Sequence, residues 1–320
     1  MQLKDCKIVH AIELNARAPF SAIGREVELS KETAANRIKN LENKKIIQGY
    51  NTIINIAQLG FTGYAVFTRF EGMTDKSKKD LINTLQNEQL VYWIAELGGN
   101  YDLVFGIQAR TINEFNEIYS KIQNKFGKLL KDNVISIRSQ VTQFPRDYLL
   151  SNKISNKKEP FFGREIKLEK LEEEDKAILN IITDDARINV VDIAGKTKIP
   201  RTTVQNKLKR LQKIGIIQGY STLVHPEHYG YQTYQLMIMI QSNNDSVKKK
   251  IFNYCQNQKS ITFLVDSVGK WNFEITCEVK DQHELQQLIN DFRSKHGELI
   301  KNIEIVMTFN YFRKYKLAVL

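Results

Sequence analysis

No stretch of the 320 residues approaches ~20 uninterrupted apolar positions, so nothing in the sequence is built to span a bilayer. The opening residues, MQLKDCKIVHAIEL, carry charges inside their apolar pattern and have no small-residue cleavage site, which is not the layout of a secretory signal. Cysteine is scarce. Cys6, Cys255 and Cys277 are odd in number and far apart, which excludes a disulfide framework and fits a reducing, cytoplasmic compartment. Histidine is scarce too, and His10 is the only one in the first half. Cys6 and His10 lie one helical turn apart, but two ligands do not make a structural zinc site. His225-Pro226-Glu227-His228 reads as a proline-initiated loop. There is no phosphate-cradling glycine loop and no nucleophile elbow. No catalytic residue, metal or cofactor is expected.

What is present is a repeat. Ile46-Ile47-Gln48-Gly49-Tyr50 recurs unchanged as Ile216-Ile217-Gln218-Gly219-Tyr220. The same offset joins Asp5 to Asp175, Ala16-Arg17 to Ala186-Arg187, Asn36 to Asn206 and Gly99 to Gly269. The chain is a tandem duplication with two similar surfaces, which suits a partner that has its own repeat or two-fold symmetry. A net charge of +11 favours a polyanionic partner.

Each half opens with helical periodicity. Ile8, Val9, Ala11, Ile12 and Leu14 form one apolar face. A short helix follows near Ala22 to Val27, then a turn in which Ser30 is placed to cap a basic helix starting at Lys31. That order predicts a helix-turn-helix, repeated from about Glu173 to Ile217. The expected DNA-contacting residues are Ser30, Lys31, Thr33, Asn36, Arg37 and Lys39 in the first copy. In the second they are Arg201, Thr202, Thr203, Gln205, Asn206, Lys207 and Arg210. Short polar side chains suit base edges, and Arg and Lys suit phosphates. From Ala16 to Tyr50 seven Lys and Arg face four Glu, net +3, and from Ala186 to Tyr220 eight face one Asp, net +7. The second copy reads as the stronger DNA binder.

After each helix-turn-helix comes a β-rich segment, Gln48–Ile54 or Gln218–Val224, suited to a wing or a connecting strand. A βαββαβ pattern follows, which predicts a ferredoxin-like module with one helical face. Its bare sheet face needs cover, most simply the other module's sheet in a two-sheet sandwich. Tyr92, Trp93, Tyr101 and Trp271 read as packing on those faces. The expected class is α+β: two winged helix-turn-helix domains (1–54 and 168–224) alternating with two ferredoxin-like domains (61–144 and 230–320), with a basic linker over 145–167.

This order resembles the Lrp/AsnC (feast/famine) family of transcription regulators. The resemblance rests on Asp175-Lys-Ala-Ile-Leu, Arg187, Leu41 with Ile46-Ile47-Gln-Gly-Tyr, and Gly99-Asn100-Tyr101-Asp102. It departs from the common arrangement, which has one helix-turn-helix and one regulatory module per chain. It implies sequence-specific binding of double-stranded DNA, an intramolecular pseudo-dimer or a homo-oligomer, and a small effector such as an amino acid. That effector is expected near the glycine-rich turn, at Gly98, Gly99, Asn100 and Asp102. Asn272 stands in the second copy where Asp102 stands in the first, so an ammonium group would be held less well there. Two rival readings share the fold. One is an enzyme resembling the sirohaem decarboxylases, expected to carry a His-Asn-Tyr-x-Arg-type motif at the middle hairpin. Here the hairpins WIAELGGNYDLVF and FLVDSVGKWNFEI have no histidine. The other is a sensor that has lost DNA binding.

Overall fold

The computed structural model describes residues 2–150, 160–163 and 168–312. Helices α1 (Leu3–Glu13), α2 (Phe20–Val27) and α3 (Lys31–Asn43) form the first helical unit. The Ser30 side chain accepts a hydrogen bond from the Thr33 amide at 3.1 Å and starts α3, a cap worth about 1 kcal/mol. Ala34, Ile38 and Leu41 recur at helical spacing and pack on Ile8, Ile12 and Ile23. After β1 (Ile47–Ile54) comes the first module: β2 (Thr62–Phe70), α4 (Asp75–Asn87), β3 (Val91–Gly98), β4 (Leu103–Ala109), α5 (Ile112–Phe126) and β5 (Leu130–Gln143). A short strand, β6 (Phe161–Gly163), pairs with β5. The second half repeats the plan with α6 (Glu173–Asp184), α7 (Val190–Thr197), α8 (Arg201–Lys213) and β7 (Ile217–Val224). Its module is β8 (Gln232–Ile240), α9 (Asp245–Gln256), β9 (Ile261–Val268), β10 (Phe273–Val279), α10 (Gln282–His296) and β11 (Ile300–Tyr311). Pro200 precedes α8 with no side-chain acceptor to offer, unlike Ser30.

The two halves are interleaved. Strands β1 and β7 pair antiparallel with each other and make a ribbon between the helical units. Two backbone bonds repeat across it: the Ala16 amide donates to the Tyr220 carbonyl at 2.9 Å, and the Ala186 amide to the Tyr50 carbonyl at 3.0 Å. Arg17 stacks on Tyr220 and Arg187 on Tyr50, at 5.2 and 5.1 Å. The repeated Ala-Arg and Gly-Tyr pairs are thus the two sides of one pseudo-two-fold joint.

The modules do not form the expected open sandwich. Within each, the middle hairpin and first strand lie beside the last strand. The edges then join across the halves, β3 to β11 and β5 to β9. Because β2 also pairs with β5, eight strands close into a barrel with no free edge. Edge hydrogen bonding satisfies backbone groups that face-to-face packing alone would leave open. The aromatic layer lies inside: Trp271 is fully buried and meets Phe67 and Tyr101 edge to face at 5.0 and 5.8 Å.

Part of the anticipated linker lies outside the described residues. The part described is built in. Leu149 joins the first helical core, and Arg146 is buried between carboxylates of α1 and β10. His10 Nε2 pairs with the Asp147 carboxylate at 2.8 Å. The His225–His228 stretch sits at a short 3-10 turn, with His228 Nδ1 2.9 Å from the Lys45 carbonyl.

Candidate nucleic-acid interface

Helices α3 and α8 occupy the recognition position, each third in its unit and each starting at a tight turn. On α3, Lys31, Thr33, Asn36 and Lys39 are exposed. On α8, Arg201, Thr202, Gln205 and Asn206 are exposed, with Thr203 half-buried. Asn36 and Asn206 share the repeat offset and the same outward face. These side chains present donors and acceptors to solvent, as reading a groove requires. Ser30 accepts the Thr33 amide and donates to the Thr33 hydroxyl at 2.9 Å, so its hydroxyl is occupied in starting the helix.

Three of the anticipated phosphate contacts have another role. Arg37 binds the Asp5 carboxylate on α1 at 2.8 Å. At the equivalent place Lys207 is held by Glu172, Glu174 and Asp175, at 2.6, 3.2 and 3.4 Å, and Arg210 binds Asp175 at 2.8 Å. Asp175 is fully buried. The carboxylates raise the Lys207 pKa above its ordinary value, with the Glu172 hydrogen bond contributing most. These pairs brace the third helix of each unit to its first. They also correct the charge comparison, because a count starting at Ala186 misses the acidic run Glu172–Asp175 that folds back onto α8. The signal was present in the repeat, where Asp5 and Asp175 match at the same offset as Arg37 and Lys207.

Three of the four hairpin residues have structural partners or constraints of their own. The Asp102 carboxylate accepts the Phe70 amide at 2.7 Å, tying the hairpin to the end of β2. Asn272 does the same with its amide oxygen, accepting the Ile240 amide at 2.9 Å. In both copies the position supplies an acceptor, which Asp and Asn can each provide. Asn100 sits in the exposed turn between them. A Cβ on Gly98 would lie 2.5 Å from the Phe309 ring. Gly99 adopts φ +104, and a Cβ there would meet the Ile305 carbonyl at 3.4 Å. Close approach at the seam between modules accounts for Gly98, and the left-handed backbone for Gly99.

The AsnC-type helix-turn-helix domain family matches residues 1–42, and a winged helix-turn-helix DNA-binding family matches residues 171–218. Among known proteins, the HTH-type transcriptional regulator Ptr1 of Methanocaldococcus jannaschii is 35% identical over 102 residues, 31% of this chain and 66% of that protein. The regulator LrpA of Pyrococcus horikoshii is 32% identical over 94 residues, 29% of this chain and 63% of its own length. An uncharacterized HTH-type transcriptional regulator of Pyrococcus abyssi aligns along 92% of its length to 43% of this chain, at 24% identity. One such regulator corresponds to one half of the molecule. Among solved structures, the siroheme decarboxylase NirDL covers 99% of this chain and 94% of its own, with a TM-score of 0.64 and 14% identity, a likeness of fold. With an AsnC-type helix-turn-helix unit in the first half, a winged helix-turn-helix unit in the second and a βαββαβ module after each, the chain is similar in both halves to the Lrp/AsnC regulators, in a tandem form.

Proposed function

We propose that this protein is a sequence-specific double-stranded DNA-binding transcription regulator in which both recognition helices read one site. The observation that carries the reading is the paired outward faces of α3 and α8, with Asn36 and Asn206 at equivalent exposed positions. The helical units are joined through the β1–β7 ribbon, so the two helices of one chain are held in fixed relation. The helices differ at Lys31 against Arg201, Glu32 against Thr202 and Ala35 against Gln205. The half-sites should therefore be non-identical and lie on one face of the duplex, a helical turn of ~10 bp or a multiple apart. In this reading residues 1–54 and 168–224 serve DNA, and the modules at 61–144 and 230–320 hold them in register. Fluorescence anisotropy with genomic fragments at two salt concentrations tests it. Binding that weakens steeply with salt supports the reading, and no binding at low salt rejects it. Selection from random DNA tests the asymmetry, since recovery of perfect palindromes alone would reject reading in cis.

The end-to-end likeness to NirDL favours one second reading, a tetrapyrrole decarboxylase on the same plan. NirDL has also been solved with an iron-uroporphyrin III analogue. Against it stand the histidine-free hairpins and the named regulators among the relatives. Tetrapyrrole absorbance in the purified protein, or turnover of added sirohaem, would establish the second reading.

A further inference from the structure

Between the aromatic layer of the barrel and the β1–β7 ribbon lies a cavity of about 240 Å³. That is space for on the order of ten waters, or for one or two fused rings. Its wall is mainly apolar and aromatic, with Tyr92, Trp93, Phe162 and Phe263 among the lining residues. Two buried polar atoms of lining residues have no hydrogen-bond partner: the Asn51 side-chain carbonyl and the Gln108 amide nitrogen. Asn51 is 8% exposed and Gln108 1%. Orphaned polar atoms at this depth are costly, so two around one hollow call for an explanation.

The duplication supplies a second, independent observation. Gln108 is the repeat counterpart of Glu278, and Asn51 that of Ser221. In each pair the second-half residue is satisfied by the protein. Glu278 receives Arg146 in a two-pronged pair at 2.7 and 2.8 Å, and the Ser221 hydroxyl accepts the Gln143 amide at 3.1 Å. The first-half residue is left open in both cases. The symmetric plan thus has protein partners at one end and none at the other.

The charges restrict what fits. Arg138 is neutralised by Glu274 at 2.8 Å and lies 4.6 Å over the Trp93 ring. Arg146 is shared by Glu278 and Glu13, and burial pushes the Glu13 carboxyl pKa up. Among the described lining residues no cation is left over to receive an anionic ligand, and the carboxylates already have partners, so no anion is left over for an ammonium group. Burying a charged ligand here would cost its desolvation with no Coulomb return. We propose that this cavity is a binding site for an uncharged, flat aromatic ligand. Such a ligand carries an acceptor for the Gln108 amide and a donor for the Asn51 carbonyl. Its floor is the ribbon that joins the helical units, so occupancy would bear on their relative position. That consequence rests on the DNA-binding reading; the site does not.

The test compares 2-naphthamide, 2-naphthoate and 2-naphthamidine, which are nearly isosteric and differ in charge. Binding to the full chain is followed by titration calorimetry and ligand-detected NMR at up to millimolar concentration. The neutral amide should bind, and each charged analogue should bind at least roughly tenfold more weakly. Gln108→Leu should weaken the amide roughly tenfold while raising the thermal midpoint of the free protein, because it removes an orphaned donor. Asn51→Leu should act in the same direction and serves if the first variant fails to fold. Absence of amide binding, equal binding of a charged analogue, or undiminished affinity in both variants would overturn the site. DNA anisotropy on the same preparations keeps the two readings apart. Lost DNA binding with intact amide binding strikes the function and leaves the site, and the reverse strikes the site alone.

Discussion

The first helical unit is tied into the barrel by charge. Glu13 on α1 and Glu278 on β10 both grip Arg146, and Tyr148 donates to Glu278 from the same segment. At the equivalent positions of the second unit stand Thr183 on α6 and Gln108 on β4, and among the described residues no such cluster forms there. The Thr183 hydroxyl turns back to the Asn180 carbonyl at 3.0 Å. The counterpart of Arg146, Lys316, lies outside the described residues. Duplicated sequences thus converge on one backbone plan while their buried polar chemistry separates. One end of the molecule has become an anchor, and the other retains an open hollow.

The sharpest way to break this comparison is to remove the anchor. Arg146→Ala leaves two buried carboxylates unpaired and should cost about 3–5 kcal/mol. Thr183→Val in the other half should cost about 1 kcal/mol or less. Denaturant titrations of both variants would measure this, and equal losses would show that the two ends are energetically alike. The braces of the recognition helices rank next. Asp175 is buried, pairs with two cations and accepts the Glu172 amide at 3.0 Å, so Asp175→Ala should cost about 2–3 kcal/mol. Asp5 is more exposed and pairs with Arg37 alone, so Asp5→Ala should cost about 1 kcal/mol or less.

A third comparison lies in DNA binding. Neutralising Lys31, Lys39 or Arg201 should lower the magnitude of the log–log salt slope by roughly 0.9 per lost contact. Arg37→Ala and Lys207→Ala should instead lower the melting temperature, with the slope nearly unchanged. Equal slope changes from both groups would show that the braced cations also reach phosphate. The smallest effect is expected at the hairpin. Asp102→Asn should change stability by less than about 1 kcal/mol, since Asn272 makes the same bond to its own strand. A larger loss by thermal denaturation would mean that the Asp102 charge has a role beyond accepting the Phe70 amide.

The duplication, the order of helices and strands and the cap at Ser30 were readable because each rests on local spacing or a fixed offset. The βαββαβ order was readable for the same reason. What escaped depends on residues far apart in sequence. The pairing of β1 with β7 and the closure of β5 on β9 join the two halves, and no local pattern encodes which edge meets which. Arg37, Lys207 and Arg210 looked like free cations because Asp5 and Glu172–Asp175 reach them only after folding. The bond from the Phe70 amide to the Asp102 carboxylate could not be read either, because the two residues are 32 apart in sequence and meet only when β2 reaches the hairpin. The cavity left one trace. Gln108 and Glu278 differ in charge at matched places in β4 and β10, and the repeat alignment shows it.

Closure of the barrel within one chain changes what dilution can do. A dimer assembled from separate subunits comes apart as its concentration falls, and any mutation in it appears twice. Here the seams β3–β11 and β5–β9 are intramolecular, so each half meets the other at an effective concentration set by the chain. Few copies per cell would hold the paired state as well as many. A substitution in one recognition helix leaves its partner as it was, so two reading heads on a shared frame are free to acquire different specificities.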